Sequence, residues 1–209
     1  MIGIGMPQNH QKLRNLIEVI YELNVFDKPE LLLEKILEGA RLLVNADAGT
    51  IYIKHGEQLI FSHVQNETLQ RRLSPGEALI YLISPPLPLT NESIAGYVAN
   101  TGKMVNVHDI YQLRRSQVPY VFNRSYDDKA QYRTRSMLTL PLMSRKDRVF
   151  GVLQLINARN SQRKIVPFFG TDLPFIHIFA RKAVAVIRRS KRRLSKNRLS
   201  ERNSERSIV

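Results

Sequence analysis

The sequence predicts an α+β domain with a central antiparallel sheet, and three observations carry that expectation. Arg135 to Asn157, RSMLTLPLMSRKDRVFGVLQLIN, holds two β-favouring runs, Met137–Leu142 and Val149–Ile156, joined by the charged turn SRKDR. Gly49 to His55, GTIYIKH, alternates and leads through His55-Gly56-Glu57-Gln58 into LIFSHV, a second hairpin. Helical spacing of apolar residues marks both ends of the chain, with a helix and a long crossing loop inserted between the hairpins. Along the last strand Val149, Gly151, Leu153 and Leu155 are expected to point one way, and Phe150, Val152, Gln154 and Ile156 the other. Both sets are mostly apolar, so a layer is expected on each face.

In chain order, Leu13, Leu16, Ile17, Ile20 and Tyr21 fall at helical spacing and predict an N-terminal helix within residues 1–27. Asp27 is a candidate cap for a second helix over KPELLLEKILEGARLLVN, with Pro29 near its first turn and Glu30 three residues on. Its stripe is Leu33, Ile36, Leu37, Ala40, Leu43 and Val44. After the first hairpin NETLQRRL reads as a short polar excursion, and EALIYLISPPLPL as a third strand entering a proline-rich connection. Thr90 or Asn91 caps a helix over NESIAGYVANTG, which Gly102 ends. MVNV is a short strand, and HDIYQLRRSQVPYVFNRSYDDKAQYRT has little periodicity, as long functional loops do. A closing helix begins near Asp172, with Ile176, Phe179, Ala183, Val186 and Ile187 as its stripe.

The chain has 209 residues, enough for one sizeable domain. It has no cysteine, which excludes disulfides, thiolate zinc sites, iron–sulfur clusters and a cysteine nucleophile. The five histidines show no zinc spacing, no glycine-rich phosphate loop precedes a helix, and no nucleophile, base and orienting group combine, so no enzyme, metal or cofactor is expected. No apolar run suits a membrane span and the opening residues do not read as a signal peptide, so a cytoplasmic location is expected. Of the net charge of +14, nine units fall between Arg181 and the end. Residues 189–209 are expected to be a basic, disordered tail, and only weakly suggest nucleic acid or an anionic membrane surface.

Three stretches, ESIAGYVANTGKMVNVHDIY, FNRSYDDKAQYRTRSMLTLPL and VFGVLQLINA, resemble in order and spacing the GAF domains of cyclic-nucleotide phosphodiesterases, adenylyl cyclases and bacterial signalling proteins. The resemblance covers roughly residues 28–188. It implies a PAS-like build: a central antiparallel sheet, terminal helices on one face, and on the other a small-molecule pocket under the inserted helix and loop. It also implies a sensory, non-catalytic role exerted through the terminal helices on a partner or output domain. The phosphodiesterase signature is matched at Asn157, Phe168 and Asp172, while Ala158 stands for its Lys and Leu173 for its Glu, so the signature ion pair cannot form as such. The crossing loop keeps Phe122 and Asp127 at the cyclic-nucleotide-binder spacing, but Ala130 and Gln131 replace Thr-Gly and Tyr132 replaces Phe. A threonine hydroxyl for a cyclic phosphate is therefore missing.

The candidate ligand-binding residues are Ser93, Tyr97, Asn106, Asp109, Tyr111, Phe122, Asp127, Arg133 and Ser136. Tyr97, Tyr111 and Phe122 would form an aromatic wall, Asp127 would orient a ligand, and Arg133 would neutralise an anion. For Ser93, Asn106, Asp109 and Ser136 the competing reading is capping or turn hydrogen bonding, strongest for Ser93. The ligand expected is a small molecule, a cyclic nucleotide or another metabolite. The wide apolar stripes of the terminal helices predict a parallel homodimer. A ligand-free dimerisation scaffold with a nucleic-acid- or membrane-contacting tail is the alternative.

Overall fold

A computed structural model describes residues 28–74 and 85–206, together with Ile17, Tyr21 and Glu77. Of the expected N-terminal helix only Ile17 and Tyr21 are described; both are helical and exposed. Helix α1 (Pro29–Leu43) begins with Pro at its first position, where no backbone donor is needed, and its cap position is Lys28. Asp27 lies outside the described residues. The whole expected α1 stripe is buried.

Strands β1 (Ala46–His55) and β2 (Gln58–Asn66) form the first hairpin, turned by Gly56 at φ +58°. NETLQRRL is a helix rather than a polar excursion: α2 (Glu67–Arg72) is capped by Asn66, whose side chain accepts from the Leu69 amide, and anchored by fully buried Leu69. A second unexpected cap follows. The Ser74 amide and hydroxyl both donate to the Glu77 carboxylate, the hydroxyl at 2.7 Å, and Glu77 is helical where a strand was expected. Residues 78–84 of that expected strand lie outside the described residues, and β3 is only Leu87–Pro88.

Helix α3 (Ile94–Thr101) is capped by Ser93, whose Oγ accepts from the Gly96 amide at 2.9 Å, and stopped by Gly102 at φ +68°. Strand β4 (Val105–Val107) opens the crossing loop, which contains a 3-10 turn (Ile110–Gln112) and helix α4 (Ser125–Ala130). The main hairpin is β5 (Met137–Met143) and β6 (Val149–Arg159); β7 (Ile165–Val166) and a 3-10 turn (Gly170–Asp172) lead to α5 (Leu173–Arg206). Residues 189–206, expected as part of a disordered tail, continue helix α5 as far as Arg206. After Pro174 the helix meets no glycine or proline, and its commonest residue is Arg, a good helix former.

The sheet runs β3-β2-β1-β6-β5-β4 with β7 beside β6, and every pairing is antiparallel. At its centre Gly151 faces Ile53 in register, and a Cβ there would lie 2.0 Å from the Tyr52 carbonyl oxygen, so only glycine lets β1 and β6 approach. One face packs on α1 and α5 through Leu37, Ile51, Leu140, Leu153, Leu155 and Phe179. The other carries α3 and the crossing loop over Tyr52, Val152 and Met137.

Leu153 and Leu155, and opposite them Val152 and Ile156, take the faces that alternation predicts. Val149 and Phe150 are exchanged. Leu142 pairs with Gly151 but Met143 with Val149, so Phe150 is the extra residue of a β-bulge and swings to the helical face. Among the described residues no helix is long and apolar enough to cross a membrane.

Candidate ligand cavity and its locked loop

Between the sheet, α3 and the crossing loop lies a cavity of about 460 Å³. That size suits a small organic ligand, for which pockets of roughly 300–1,000 Å³ are usual. Five aromatic side chains share its wall with aliphatic and polar residues: Tyr52 and Phe61 from the first hairpin, and Phe122, Tyr126 and Tyr132 from the crossing loop. Tyr52 and Phe61 pack with ring centroids 4.7 Å apart. The floor includes Gln154, whose Oε1 accepts from the Tyr52 hydroxyl at 3.2 Å and whose Nε2 donates to Thr139 Oγ1 at 3.2 Å.

Two buried carboxylates hold the loop over this space. Asp127, 3% exposed on α4, accepts from the Thr134 amide and hydroxyl and from the Tyr111 hydroxyl, each at 2.8 Å. Four residues on, the loop has turned back, with Gln131 at φ +46° ending α4. Asp47, 1% exposed on β1, accepts from Tyr132 Oη at 2.8 Å and Thr68 Oγ1 at 2.9 Å and pairs with Arg159 at 2.6 Å. A carboxylate this deep requires such partners, because unpaired charge in a low-dielectric interior is costly.

Asn157 completes the lock from β6. At φ +57°, a backbone region that asparagine tolerates, it donates to Tyr132 Oη at 2.9 Å and the Arg133 carbonyl at 2.8 Å and accepts from the Arg135 amide at 2.7 Å.

These surroundings shift the phenols in one direction. Burial pushes Tyr126 up to about 12, and the Asp127 charge adds to it. Burial also pushes Tyr52 and Tyr132 well above the ordinary range, Tyr132 further because its hydroxyl donates to the charged Asp47. The shift at Tyr111 is upward too, from burial first and then its hydrogen bond to Asp127.

Of the nine candidate residues, Ser93, Phe122 and Asp127 line the cavity. Tyr111 stands behind Asp127, edge-on to Phe122 at 5.8 Å, with the guanidinium groups of Arg124 and Arg133 over its ring at 4.6 and 4.5 Å. Tyr97 packs on Tyr120, Asp109 caps the 3-10 turn and pairs with Arg135, and Ser136 Oγ accepts from the Ala158 amide. Asn106 donates to the Phe168 carbonyl at 3.2 Å, and Phe168 and Asp172 are buried beside α5. Arg159 makes its ion pairs with Asp47 and Glu67.

Sequence reasoning passed over Asp47, Thr134, Gln154 and Tyr52. Asp47 had a signal: a lone carboxylate at the head of an apolar strand is buried only with a partner.

The GAF domain family model matches residues 28–187. The chain belongs to the GAF family. GAF domains are regulatory and sensory modules of signalling proteins. This GAF chain is 27% identical over 173 residues to a dual 3',5'-cyclic-AMP and -GMP phosphodiesterase of Drosophila melanogaster, covering 75% of the chain and 11% of that protein. It is 29% identical over 150 residues to the cGMP-specific 3',5'-cyclic phosphodiesterase of the same fly, covering 68% of the chain and 12% of the relative. The chain thus spans about a tenth of the curated relatives it matches. Among solved structures, the GAF domain of an Acinetobacter phosphoenolpyruvate-protein phosphotransferase superposes with a TM-score of 0.64 at 18% identity, covering 87% of this chain and 95% of that one. Free methionine-R-sulfoxide reductase from Neisseria meningitidis superposes at 0.63 with 15% identity, covering 90% and 95%. At these identities the structural likeness speaks for the fold.

Proposed function

We propose that this GAF domain binds a small molecule with a planar ring in the aromatic cavity and transmits its occupancy to α1 and α5 through the sheet. The observation that carries the reading is the cavity itself, about 460 Å³ between five aromatic side chains, kept open by carboxylate-anchored loop contacts. Most polar groups of the wall are satisfied internally, so stacking and shape dominate recognition, with the side chains of Ser125, Tyr126 and Lys129 left to meet polar substituents. Cyclic nucleotides belong to this class, and the phosphodiesterase relatives motivate including them. Of the candidate residues, Ser93, Phe122 and Asp127 would meet the ligand, a reading supported by their positions in the cavity wall. A ligand shifts the protein only by its differential affinity for two states, here a locked and a released crossing loop. The terminal helices would carry the change to a second copy, and Leu31 and Leu42 are exposed on α1 for such packing.

The test is thermal-shift and calorimetric screening of the full chain with cyclic AMP, cyclic GMP, free nucleobases and aromatic metabolites, beside sedimentation to count subunits. Binding of one ring-bearing compound, abolished by filling the cavity with Ala95→Leu while the fold is retained, is expected. If no compound binds while Ala95→Leu alone raises the melting temperature, the cavity is a packing gap and the domain is a scaffold.

A further inference from the structure

We propose that the cationic cluster where α5 leaves the body of the domain is a docking surface for the phosphodiester backbone of nucleic acid. Four cations from three separate elements meet there: Lys54 from β1, Arg148 from the β5–β6 turn, and Arg188 and Lys191 one turn apart on α5. Arg148, Arg188 and Lys191 lie 5.2, 6.0 and 5.9 Å from the centre of the Phe150 ring, which the β-bulge delivers to this face. Lys191 Nζ donates to the Lys54 carbonyl at 2.9 Å, which draws the two strands of charge together.

None of the four forms an ion pair among the described residues, although six such pairs occur elsewhere. Packed like charges without a carboxylate repel one another, and an external polyanion relieves that repulsion. Burial, Arg148 and Lys54 together lower the affinity of Lys191 for its proton, as such crowding requires. Arg148 and Arg188 are exposed and free to reach outward.

The chemistry of the helix beyond this point favours nucleic acid over a membrane. Residues 188–206, RRSKRRLSKNRLSERNSER, hold nine Lys and Arg against two Glu, with only Leu194 and Leu199 apolar. Helices that lie in a bilayer surface need an apolar face to sink into it. Arg, Lys, Ser and Asn are the side chains that contact phosphate oxygens without reading sequence. The Phe150 ring is buried, so base stacking is not offered and binding depends on charge.

The full chain is titrated into labelled duplex DNA and single-stranded RNA of several unrelated sequences at 50–200 mM salt, with anionic phosphatidylserine vesicles in parallel. Sequence-independent binding is expected, with R148Q/R188Q making the plot of log affinity against log salt shallower by about 1.8 on duplex DNA, or about 1.4 on a single strand. R148K/R188K keeps the charge and retains the wild-type slope. R114Q/R115Q removes two exposed cations of the crossing loop and leaves the slope unchanged. Lys191→Gln provides a single-site measurement, shallower by about half as much, should the double variant fold poorly. The proposal is overturned by no binding at 50 mM salt, by equal slopes for R148Q/R188Q and R114Q/R115Q, or by binding to vesicles alone. None of these outcomes bears on occupancy of the aromatic cavity.

Discussion

Under α1 and α5 the sheet is closed by aliphatic side chains with Phe150, Phe168 and Phe179, whereas under α3 and the crossing loop it faces two buried carboxylates and an open space lined by aromatic rings. The difference teaches where each task is met. An aliphatic layer excludes water, and its stabilisation follows the apolar area it buries. A cavity forgoes part of that stabilisation, so the loop above it is fixed by directional bonds to Asp47, Asp127 and Asn157 instead. Such bonds are strong only with all partners in place, so the cavity side depends on a few directional contacts where the helical side depends on buried area.

The largest effect is expected on the helical side. Phe179 is 1% exposed, and Phe179→Ala should lower unfolding free energy by about 3–5 kcal/mol, lost cooperatively from the whole domain in urea melts. A loss confined to one segment would show that the two faces do not share one fold-wide transition.

On the cavity side Asp127→Asn should cost less, about 1–3 kcal/mol, because it disturbs hydrogen bonds at one carboxylate and leaves the helical core intact. Hydrogen exchange should quicken across residues 108–136 and remain slow in α1 and β6. Uniform quickening would erase the proposed division of labour.

The smallest effect is on pH dependence, and it too should separate the faces. Tyr52, Tyr126 and Tyr132 all line the cavity, and all ionise later in the native state than in the unfolded chain. Their contribution is therefore full below about pH 10, where unfolded phenols begin to ionise, and is lost as pH rises toward and past the native values, about 12 for Tyr126. Denaturation midpoints between pH 8 and 11.5 should fall above pH 10, and Tyr126→Phe should make that fall shallower. An unchanged slope in that variant would place the alkaline sensitivity elsewhere.

Much of this architecture is visible in the residues because the signals are local. Alternation in GTIYIKH, the stripe from Leu33 to Val44, the Ser93 cap and the Gly102 stop each depend on neighbours within a few positions. Asn66 and the Ser74–Glu77 pair were equally local signals, readable as caps where an excursion and a strand were expected. The bulge at Phe150 was not readable, since it arises from the register between two strands rather than from either one.

By itself, then, the sequence determined the antiparallel sheet, the helices that cover it and the family, because periodicity, caps and ordered motifs survive without knowledge of contacts. Only the tertiary structure decided which polar residues meet. Asp47 finds Tyr132 across 85 residues of chain, Asn157 finds the carbonyl of Arg133, and Lys54, Arg148 and Lys191 converge from elements remote in sequence. Hydrogen bonds and charge clusters act over a few ångströms, and those distances are set by the fold.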